Sequence, residues 1–120
     1  MIKGIGTDLV DQSRVAALLS KYGQKFLNKI LSKNEIFHIE KYRGESKLNF
    51  ICSSFAAKEA FVKALGTGFR GIYPNQMTYL KNNEGKPSLN IEKPINYSIH
   101  LSISNVAGYT LSFIVLEEWE

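Results

Sequence analysis

The sequence predicts an α+β fold, in which an N-terminal strand and several helices pack on an antiparallel sheet. Residues 2–10 alternate as a strand does, the residues between Ser13 and Gly66 place apolar side chains at helical spacing, and period-two alternation returns beyond Gly68. The chain has 120 residues. That length corresponds to one domain, and we expect a single domain over residues 1–120.

The first predicted element is a strand over residues 2–10. With a period of two, Ile2, Gly4, Gly6 and Asp8 share one face. Because glycine has no side chain, we expect open space beside Asp8. A carboxylate inside an apolar strand is costly to bury unless it is paired or bound to a metal. Asp8 is therefore either a functional carboxylate or a strand-end aspartate that faces water.

The next element is predicted to be a helix with Asp11 or Ser13 as its N-cap. Its apolar residues follow the i, i+3, i+4, i+7 pattern of a buried stripe, formed by Val15, Leu18, Leu19 and Tyr22. Its basic residues are spaced by about two turns and then one turn, which places them on one exposed face: Arg14, Lys21 and Lys25. Such a face is either an ordinary solvated surface or a docking surface for an acidic partner.

Three further helices are expected. A short one holds Phe26, Leu27, Ile30 and Leu31. Ser32 and Glu35 form a capping box that starts the next, which runs to about Tyr42 and is broken by Gly44. The longest helix covers roughly residues 46–65 and ends at Gly66, a typical C-terminal glycine.

The C-terminal half is predicted to be an antiparallel meander. In the strand Tyr97–Ser104 the apolar residues Ile99, Leu101 and Ile103 point one way, and His100, Ser102 and Ser104 point the other way. The other predicted elements are strands at Gln76–Lys81, Pro87–Ile91 and Tyr109–Leu116, with turns at Asn82–Lys86 and 105–108.

The longest helix carries the segment SSFAAKEAFVKALGTG, in which Glu59 and Lys63 lie one turn apart among apolar residues. On an exposed face they would form an i, i+4 ion pair worth about 0.2–0.5 kcal/mol. Alternatively, Asp8 and Glu59 beside Lys63 could hold Mg²⁺ and a phosphate, because Mg²⁺ usually takes one or two protein carboxylates. Both interpretations are open at this point.

Composition excludes several classes of protein. Cys52 is the only cysteine, which rules out an intrachain disulfide. The sequence contains no apolar run long enough for a membrane span and no signal peptide, so we expect a cytoplasmic protein. GIGTD lacks the third glycine of a dinucleotide fingerprint, and no P-loop occurs. The formal net charge of +4 indicates an acidic or phosphorylated partner without identifying it.

Four segments occur in an order and at a chain length that resemble a known family. They are GIGTDLVDQSRV at 4–15, FAAKEAFVKALGTGFRG at 55–71, NEGKPSL at 83–89 and HLSIS at 100–104. Together they resemble the holo-acyl-carrier-protein synthases, the small bacterial type of 4′-phosphopantetheinyl transferase. The resemblance implies the fold of that family and its reaction in fatty acid biosynthesis. In that reaction 4′-phosphopantetheine passes from coenzyme A to a serine of an acyl carrier protein, and adenosine 3′,5′-bisphosphate is released.

The resemblance also implies roles for particular residues. Asp8 and Glu59 hold Mg²⁺ against the coenzyme A pyrophosphate, and Lys63 lies near the phosphates; these three are the expected catalytic residues. The base that takes the serine proton is either Glu59, directly or through a metal-bound water, or Glu35. The family is trimeric, with sites between subunits, and its carrier partner is acidic, which favours the docking function of the basic face. The remaining coenzyme A contacts are expected at Gly66, Gly68, Pro87, Ser104 and Asn105.

Two positions depart from the family pattern. Asn105 stands where relatives often carry His, and Ser54 where they often carry Arg. Either an imidazole at residue 105 is not required here, or another residue has taken over its role. The missing arginine contact would be supplied by another basic residue, with Lys47, Arg43 and Arg70 as the candidates.

Two other classes of function compete with this one. The calculated pI of about 9.2 and the six tyrosines would suit a module that binds RNA or DNA. That class is less favoured because the basic residues are spread along the chain and no nucleic-acid motif is present. The third class is an interaction protein without activity. A transfer assay with coenzyme A, Mg²⁺ and an apo carrier protein separates the three.

Overall fold

A computed structural model describes residues 1–119 of the chain. It has the predicted α+β architecture, with helices packed on an antiparallel sheet. None of the helices in these residues is long and apolar enough to cross a membrane. In chain order the elements are β1 (Ile2–Asp11), α1 (Gln12–Tyr22), α2 (Gln24–Ile30), α3 (Lys33–Ile39), α4 (Gly44–Leu65), a 3₁₀ turn (Pro74–Gln76), β2 (Met77–Lys81), β3 (Pro87–Ile91), β4 (Tyr97–Val106) and β5 (Tyr109–Glu118).

The strands form two sheets instead of one continuous meander. The larger sheet has the order β1-β5-β4, and β2 and β3 form a separate hairpin. The N-terminal strand thus pairs with the C-terminal one, with Asp8 opposite Ser112 and Leu9 opposite Leu111. The predicted meander is wrong in one respect, because β3 does not pair with β4 and the antiparallel hairpins β2–β3 and β4–β5 therefore belong to different sheets.

Several predicted boundaries move. Helix α3 ends at Ile39 instead of near Tyr42, and Gly44 is the first residue of α4 instead of a break. Strands β4 and β5 are each two residues longer than predicted, because Asn105 and Val106 still pair across the hairpin and because Glu117 and Glu118 pair with Ser98 and Tyr97. The capping box of α3 and the Gly66 C-cap of α4 are confirmed.

Glycines bring α4 into direct contact with β1. A Cβ atom added to Gly6 would lie 2.0 Å from the carbonyl oxygen of Ala60, and one added to Gly4 would lie 2.0 Å from that of Ala64. The predicted open space beside Asp8 is therefore wrong, because the backbone of α4 fills it. The alanines of the helix permit the same close approach, since they add only a methyl group at the contact.

Helix α1 is capped as predicted, with the Asp11 side chain accepting a hydrogen bond from Ser13 N at 2.9 Å. Its predicted stripe is only partly buried. Val15 is buried, whereas Tyr22 is 49% exposed. Gly23 has φ +55° and ends the helix, so Lys25 belongs to α2 and the three basic residues do not share one helix.

The sheet exposes an apolar face on the side turned away from α4. The inward residues of β5, such as Ile114 and Leu116, are buried in the core. Many of the outward residues of β1 and β5 are large and apolar, and some of these pair with one another, as Leu9 does with Leu111. Those of them exposed by more than two fifths are Ile5, Leu9, Tyr109, Leu111 and Phe113, and we refer to them as the outer sheet face.

Candidate functional site

Helix α4 is buried on almost every side between residues 50 and 64. The exceptions are Phe55 and Glu59, which are half-buried, and Lys63, which is exposed. These three residues are four apart, so they form one stripe along the helix. The surroundings of α4 therefore leave a single window, and a carboxylate and an amine occupy it.

Lys63 is paired across the window with β1. Its Nζ donates to Asp8 Oδ1 at 3.0 Å and to the backbone oxygen of Thr7 at 3.0 Å. The Asp8 side chain is 16% exposed, so this contact is partly shielded from water. None of the ion pairs within residues 1–119 joins Lys63 to Glu59. The interpretation of Glu59 and Lys63 as an i, i+4 ion pair is therefore wrong.

Asp8 and Glu59 line one open cavity of about 350 Å³. Loss of hydration raises the pKa of Glu59, the charge of Asp8 raises it further, and Lys63 opposes both. The raised pKa indicates that the two carboxylates interact in a partly desolvated setting. The other lining residues come from β1, α1 and α4: Leu9, Val10, Asp11, Arg14, Val15, Leu18 and Phe55.

The donor set of this cavity suits a hard divalent cation. Asp11 also lines it, but its carboxylate accepts hydrogen bonds from both the backbone N and the hydroxyl of Ser13. Within residues 1–119 no cluster of three His, Cys, Asp or Glu residues could hold a metal. A structural zinc site needs four such ligands. Two carboxylates fit Mg²⁺, which leaves its other positions to water and substrate phosphates.

The other residues predicted to contact coenzyme A do not line this cavity. Gly66 and Gly68 lie in the exposed turn after α4 with φ of +79° and +63°. Pro87 starts β3 opposite Lys81, and Ser104 lies on the exposed side of β4 opposite Leu111. Within one chain the structure brings together Asp8, Glu59 and Lys63 but not these residues.

Asn105 lies at a second cavity, of about 200 Å³. Its Oδ1 accepts from Thr110 Oγ1 at 2.5 Å, and its Nδ2 donates to Ser53 Oγ at 3.3 Å. Tyr79 also lines this cavity, and its hydroxyl is buried without a hydrogen-bond partner in the part of the chain that the structure describes. Burial raises the pKa of Tyr79 to about 12. The sequence analysis missed Tyr79, since one tyrosine in a strand carries no distinguishing signal.

Glu35 is not available as a base. It is 1% exposed, and its carboxylate accepts from Ser32 N, Ser54 Oγ, Lys58 Nζ and Tyr79 N. Each of its two carboxylate oxygens already accepts two hydrogen bonds. The residue also lies outside the Asp8–Glu59 cavity. Glu59 is then the remaining candidate. Ser54 is fully buried as well, so the position where relatives often carry Arg faces the interior of this chain.

The basic residues border a groove on α1 and α2. Leu18, Tyr22 and Phe26 line a cavity of about 380 Å³, with Lys25 and Lys29 at its edge. The ammonium of Lys21 lies 5.2 Å from the centre of the Tyr22 ring. Lys25 thus remains beside α1 although it belongs to α2. The basic residues border exposed apolar side chains instead of lying opposite a buried stripe.

Known proteins resemble this chain over nearly its full length. The family model of the 4′-phosphopantetheinyl transferase superfamily matches residues 4–114. The chain is 46% identical to a holo-[acyl-carrier-protein] synthase of Wolbachia pipientis subsp. Culex pipiens, over 97% of this chain and 98% of the relative. A holo-(acyl-carrier-protein) synthase from Bacillus anthracis in complex with CoA (3′,5′-ADP) superposes with a TM-score of 0.91 at 32% identity, over 99% of each chain. The Helicobacter pylori enzyme in complex with coenzyme A gives 0.82 at 28% identity, over 94% of this chain and 99% of that one.

Proposed function

This chain belongs to the 4′-phosphopantetheinyl transferase superfamily, and we propose that the cavity between Asp8 and Glu59 is the place where it acts. The reaction is the transfer of 4′-phosphopantetheine from coenzyme A to a serine of apo acyl carrier protein, with release of adenosine 3′,5′-bisphosphate. Its product would serve fatty acid biosynthesis. The observation that carries the assignment of the site is that Asp8, Glu59 and Lys63 meet in the one window of an otherwise buried helix.

Asp8 and Glu59 would hold a Mg²⁺ ion in this cavity. When bound, the ion would neutralise charge on the pyrophosphate of coenzyme A, which is its usual role in phosphoryl transfer. The support is the pair of carboxylates that faces the cavity, one of them with a raised pKa. Lys63 donates a hydrogen bond to Asp8, and its exposed positive charge would attract the phosphate oxygens of coenzyme A.

The proposed reaction forms one bond to phosphorus, breaks another and removes the proton of the carrier serine. The serine oxygen of the carrier forms a bond to the phosphorus on the pantetheine side, and the bond from that phosphorus to the bridging oxygen breaks. The electron pair leaves with adenosine 3′,5′-bisphosphate. The serine proton would pass to Glu59, either directly or through a water molecule.

The active form would be a homotrimer in which neighbouring chains complete each site. The outer sheet face is apolar and exposed, which is unusual for a monomer. Several residues that are expected to contact coenzyme A lie away from the Asp8–Glu59 cavity of their own chain. A site shared between chains would explain this separation. A second chain would bring its Ser104 and Asn105 beside the first chain's cavity, and these residues lie at the end of the same sheet.

The acyl carrier protein would dock on α1 and α2. Arg14 lines the Asp8–Glu59 cavity, and Lys25 borders the neighbouring groove. Lys21 lies beside that groove, over Tyr22. An acidic helix with a few apolar side chains would match both the charge and the shape of this surface. Charges at the edge of an interface act mainly on association rate and salt dependence.

One assay tests the proposed function. The protein is mixed with coenzyme A, Mg²⁺ and apo acyl carrier protein, and the carrier is weighed by mass spectrometry. We expect the mass gain of one phosphopantetheine and its loss when the metal is chelated. A carrier of unchanged mass under all conditions would contradict the proposal. Tight binding of the chain to RNA or DNA in its place would favour the competing class of nucleic-acid-binding module.

A further inference from the structure

Lys58 directly precedes Glu59, and its charged end is buried. Its side chain is 0% exposed, and its Nζ donates to the backbone oxygen of Ile30 at 2.7 Å and to Glu35 Oε1 at 2.5 Å. The chemistry of the proposed site does not use this amine, which faces away from the Asp8–Glu59 cavity. A fully buried lysine in a helix of otherwise small and apolar residues needs a separate explanation.

Glu35 connects the lysine to α3 and β2, and it also binds a second residue of α4. Its Oε1 also accepts from Ser32 N at 2.8 Å, which closes the capping box of α3. Its Oε2 accepts from Tyr79 N in β2 at 3.1 Å and from Ser54 Oγ in α4. Together with the Ile30 contact, these bonds join α4 to the end of α2, the start of α3 and the first half of β2.

Such a pair does little for stability compared with an apolar alternative. Removing two charges from water costs about as much as their attraction returns, and well-packed apolar residues of similar volume are often as stable or more so. The pair instead fixes the rotation of α4 about its own axis, because each of its hydrogen bonds can form in only one orientation of the helix. The opposite side of the helix is held by Ser112 Oγ, which donates to the Ala56 oxygen at 2.6 Å, and by the contact of Gly6 with the Ala60 backbone.

We propose that Lys58 is a positioning residue, which sets the rotation of α4 so that Glu59 faces Asp8 across the cavity. Successive residues of an α-helix point about 100° apart, so the direction of Lys58 determines that of its neighbour. The backbone contacts with β1 hold the helix close to the strand, and the Lys58–Glu35 pair prevents it from turning in place. This inference rests on the proposed function, since it gives Glu59 its importance.

The test uses a variant in which the pair is replaced without leaving a lone charge. Lys58→Met alone strands a buried carboxylate, which is strongly destabilising. Lys58→Met with Glu35→Gln is uncharged and keeps the capping box, which accepts either Glu or Gln. Glu35→Gln alone removes the counter-charge of Lys58 but keeps a hydrogen-bond acceptor for it, so this variant weakens the pair without removing the lysine. Ile51→Ala, a fully buried position on the same helix, is the control for loss of stability.

Three quantities are measured well below the melting temperature of each variant: kcat, the KM for coenzyme A, and the affinity for Mn²⁺ by electron paramagnetic resonance without carrier protein. We expect the double variant to lose about tenfold or more in kcat and to bind Mn²⁺ more weakly, because small displacements of catalytic groups are costly. Its KM for coenzyme A should change by less than about twofold, and so should the kcat of Ile51→Ala, whereas Glu35→Gln should lose part of the kcat that the double variant loses.

If the double variant keeps the kcat and the Mn²⁺ affinity of the Ile51→Ala control, the positioning role is refuted while the proposed function stands. Should the double variant fail to fold, the Glu35→Gln variant decides: a kcat and a Mn²⁺ affinity equal to those of the Ile51→Ala control would also refute the positioning role. A wild-type protein that transfers no phosphopantetheine would instead refute the proposed function. These results can therefore be told apart.

Discussion

Lys63 Nζ lies 3.0 Å from Asp8 Oδ1 and joins the helix that carries Glu59 to the first strand of the chain. The contact depends on Gly6, which lets α4 approach β1 at backbone distance. Because Lys63 neutralises part of the Asp8 charge, a second carboxylate can share the cavity without strong repulsion. Lys63 therefore reduces the repulsion between Asp8 and Glu59 in the protein without ligands.

Loss of either carboxylate should abolish most of the activity and leave the fold intact. We expect Asp8→Asn and Glu59→Gln each to lower kcat/KM by orders of magnitude, because each removes a proposed Mg²⁺ ligand. Carrier mass and circular dichroism would be measured on the same samples. Asp11→Asn is the matched control, since it lines the same cavity but serves as an N-cap, for which Asn is equally suited. Normal turnover by both active-site variants would refute the metal assignment.

Glu59 should also reduce the stability of the metal-free protein at neutral pH. Its pKa is raised in the folded state, so protonation favours folding and the charged form opposes it. The cost is absent below the unfolded pKa and appears as pH rises through the folded pKa. We therefore expect Glu59→Gln to melt at a higher temperature than wild type at pH 7–8 in chelator, with the difference vanishing near pH 4. Equal melting temperatures across this range would contradict it.

Local sequence signals predicted the elements that bear the site. The capping box at Ser32, the N-cap at Asp11 and the C-cap at Gly66 are short-range patterns, and the structure contains all three. Asp8 and Glu59 could be chosen because a carboxylate among apolar residues is unusual. The i, i+4 spacing of Glu59 and Lys63 was informative about their common face but not about their partners.

Contacts between distant parts of the chain could not be read in this way. The pairing of β1 with β5 joins opposite ends of the sequence, and no local pattern specifies it. Lys58 and Glu35 are 23 residues apart and no local pattern pairs them, yet they meet in the core. The glycines of β1 were taken as a source of open space, because their true neighbour, the backbone of α4, lies more than fifty residues away.

The close contact between β1 and α4 should make Gly6 intolerant of any side chain. A Cβ there would lie 2.0 Å from the Ala60 oxygen, which is backbone and cannot move alone. We expect Gly6→Ala to lower the melting temperature and to separate Lys63 from Asp8, with loss of activity. Differential scanning calorimetry would measure the first effect. The exposed neighbour Thr7→Ala is the control, and an unchanged melting temperature for Gly6→Ala would show that the helix sits farther from the strand.

The outer sheet face should hold the protein together as a trimer. Light scattering at micromolar concentration should give about three times the 13.5 kDa of the chain. Phe113→Glu places a charge in the centre of this face and should yield monomers with little activity. Phe37→Glu, at an equally apolar but more exposed position on α3, should remain trimeric. A wild-type mass of a single chain would contradict the assembly.

The basic residues of α1 and α2 should recognise the carrier protein and not coenzyme A. Lys21 and Lys25 border the apolar groove but do not line the Asp8–Glu59 cavity, whereas Arg14 does. We therefore expect Lys21→Glu with Lys25→Glu to raise the KM for the carrier about tenfold or more and to leave the KM for coenzyme A nearly unchanged. Arg14→Glu should raise both, because it lies at the cavity itself.

A control variant separates the effect of overall net charge from the effect of the positions of Lys21 and Lys25. Lys33→Glu with Lys41→Glu changes the net charge of the protein by the same amount at two exposed residues of the α3 region. It should raise the KM for the carrier only slightly, since steering by a distant charge is weak beyond the Debye length of about 10 Å at 0.1 M salt. For the wild type this KM should rise with salt, and for Lys21→Glu with Lys25→Glu it should not. Equal effects of the two double variants would mean that the carrier responds to overall charge and docks elsewhere.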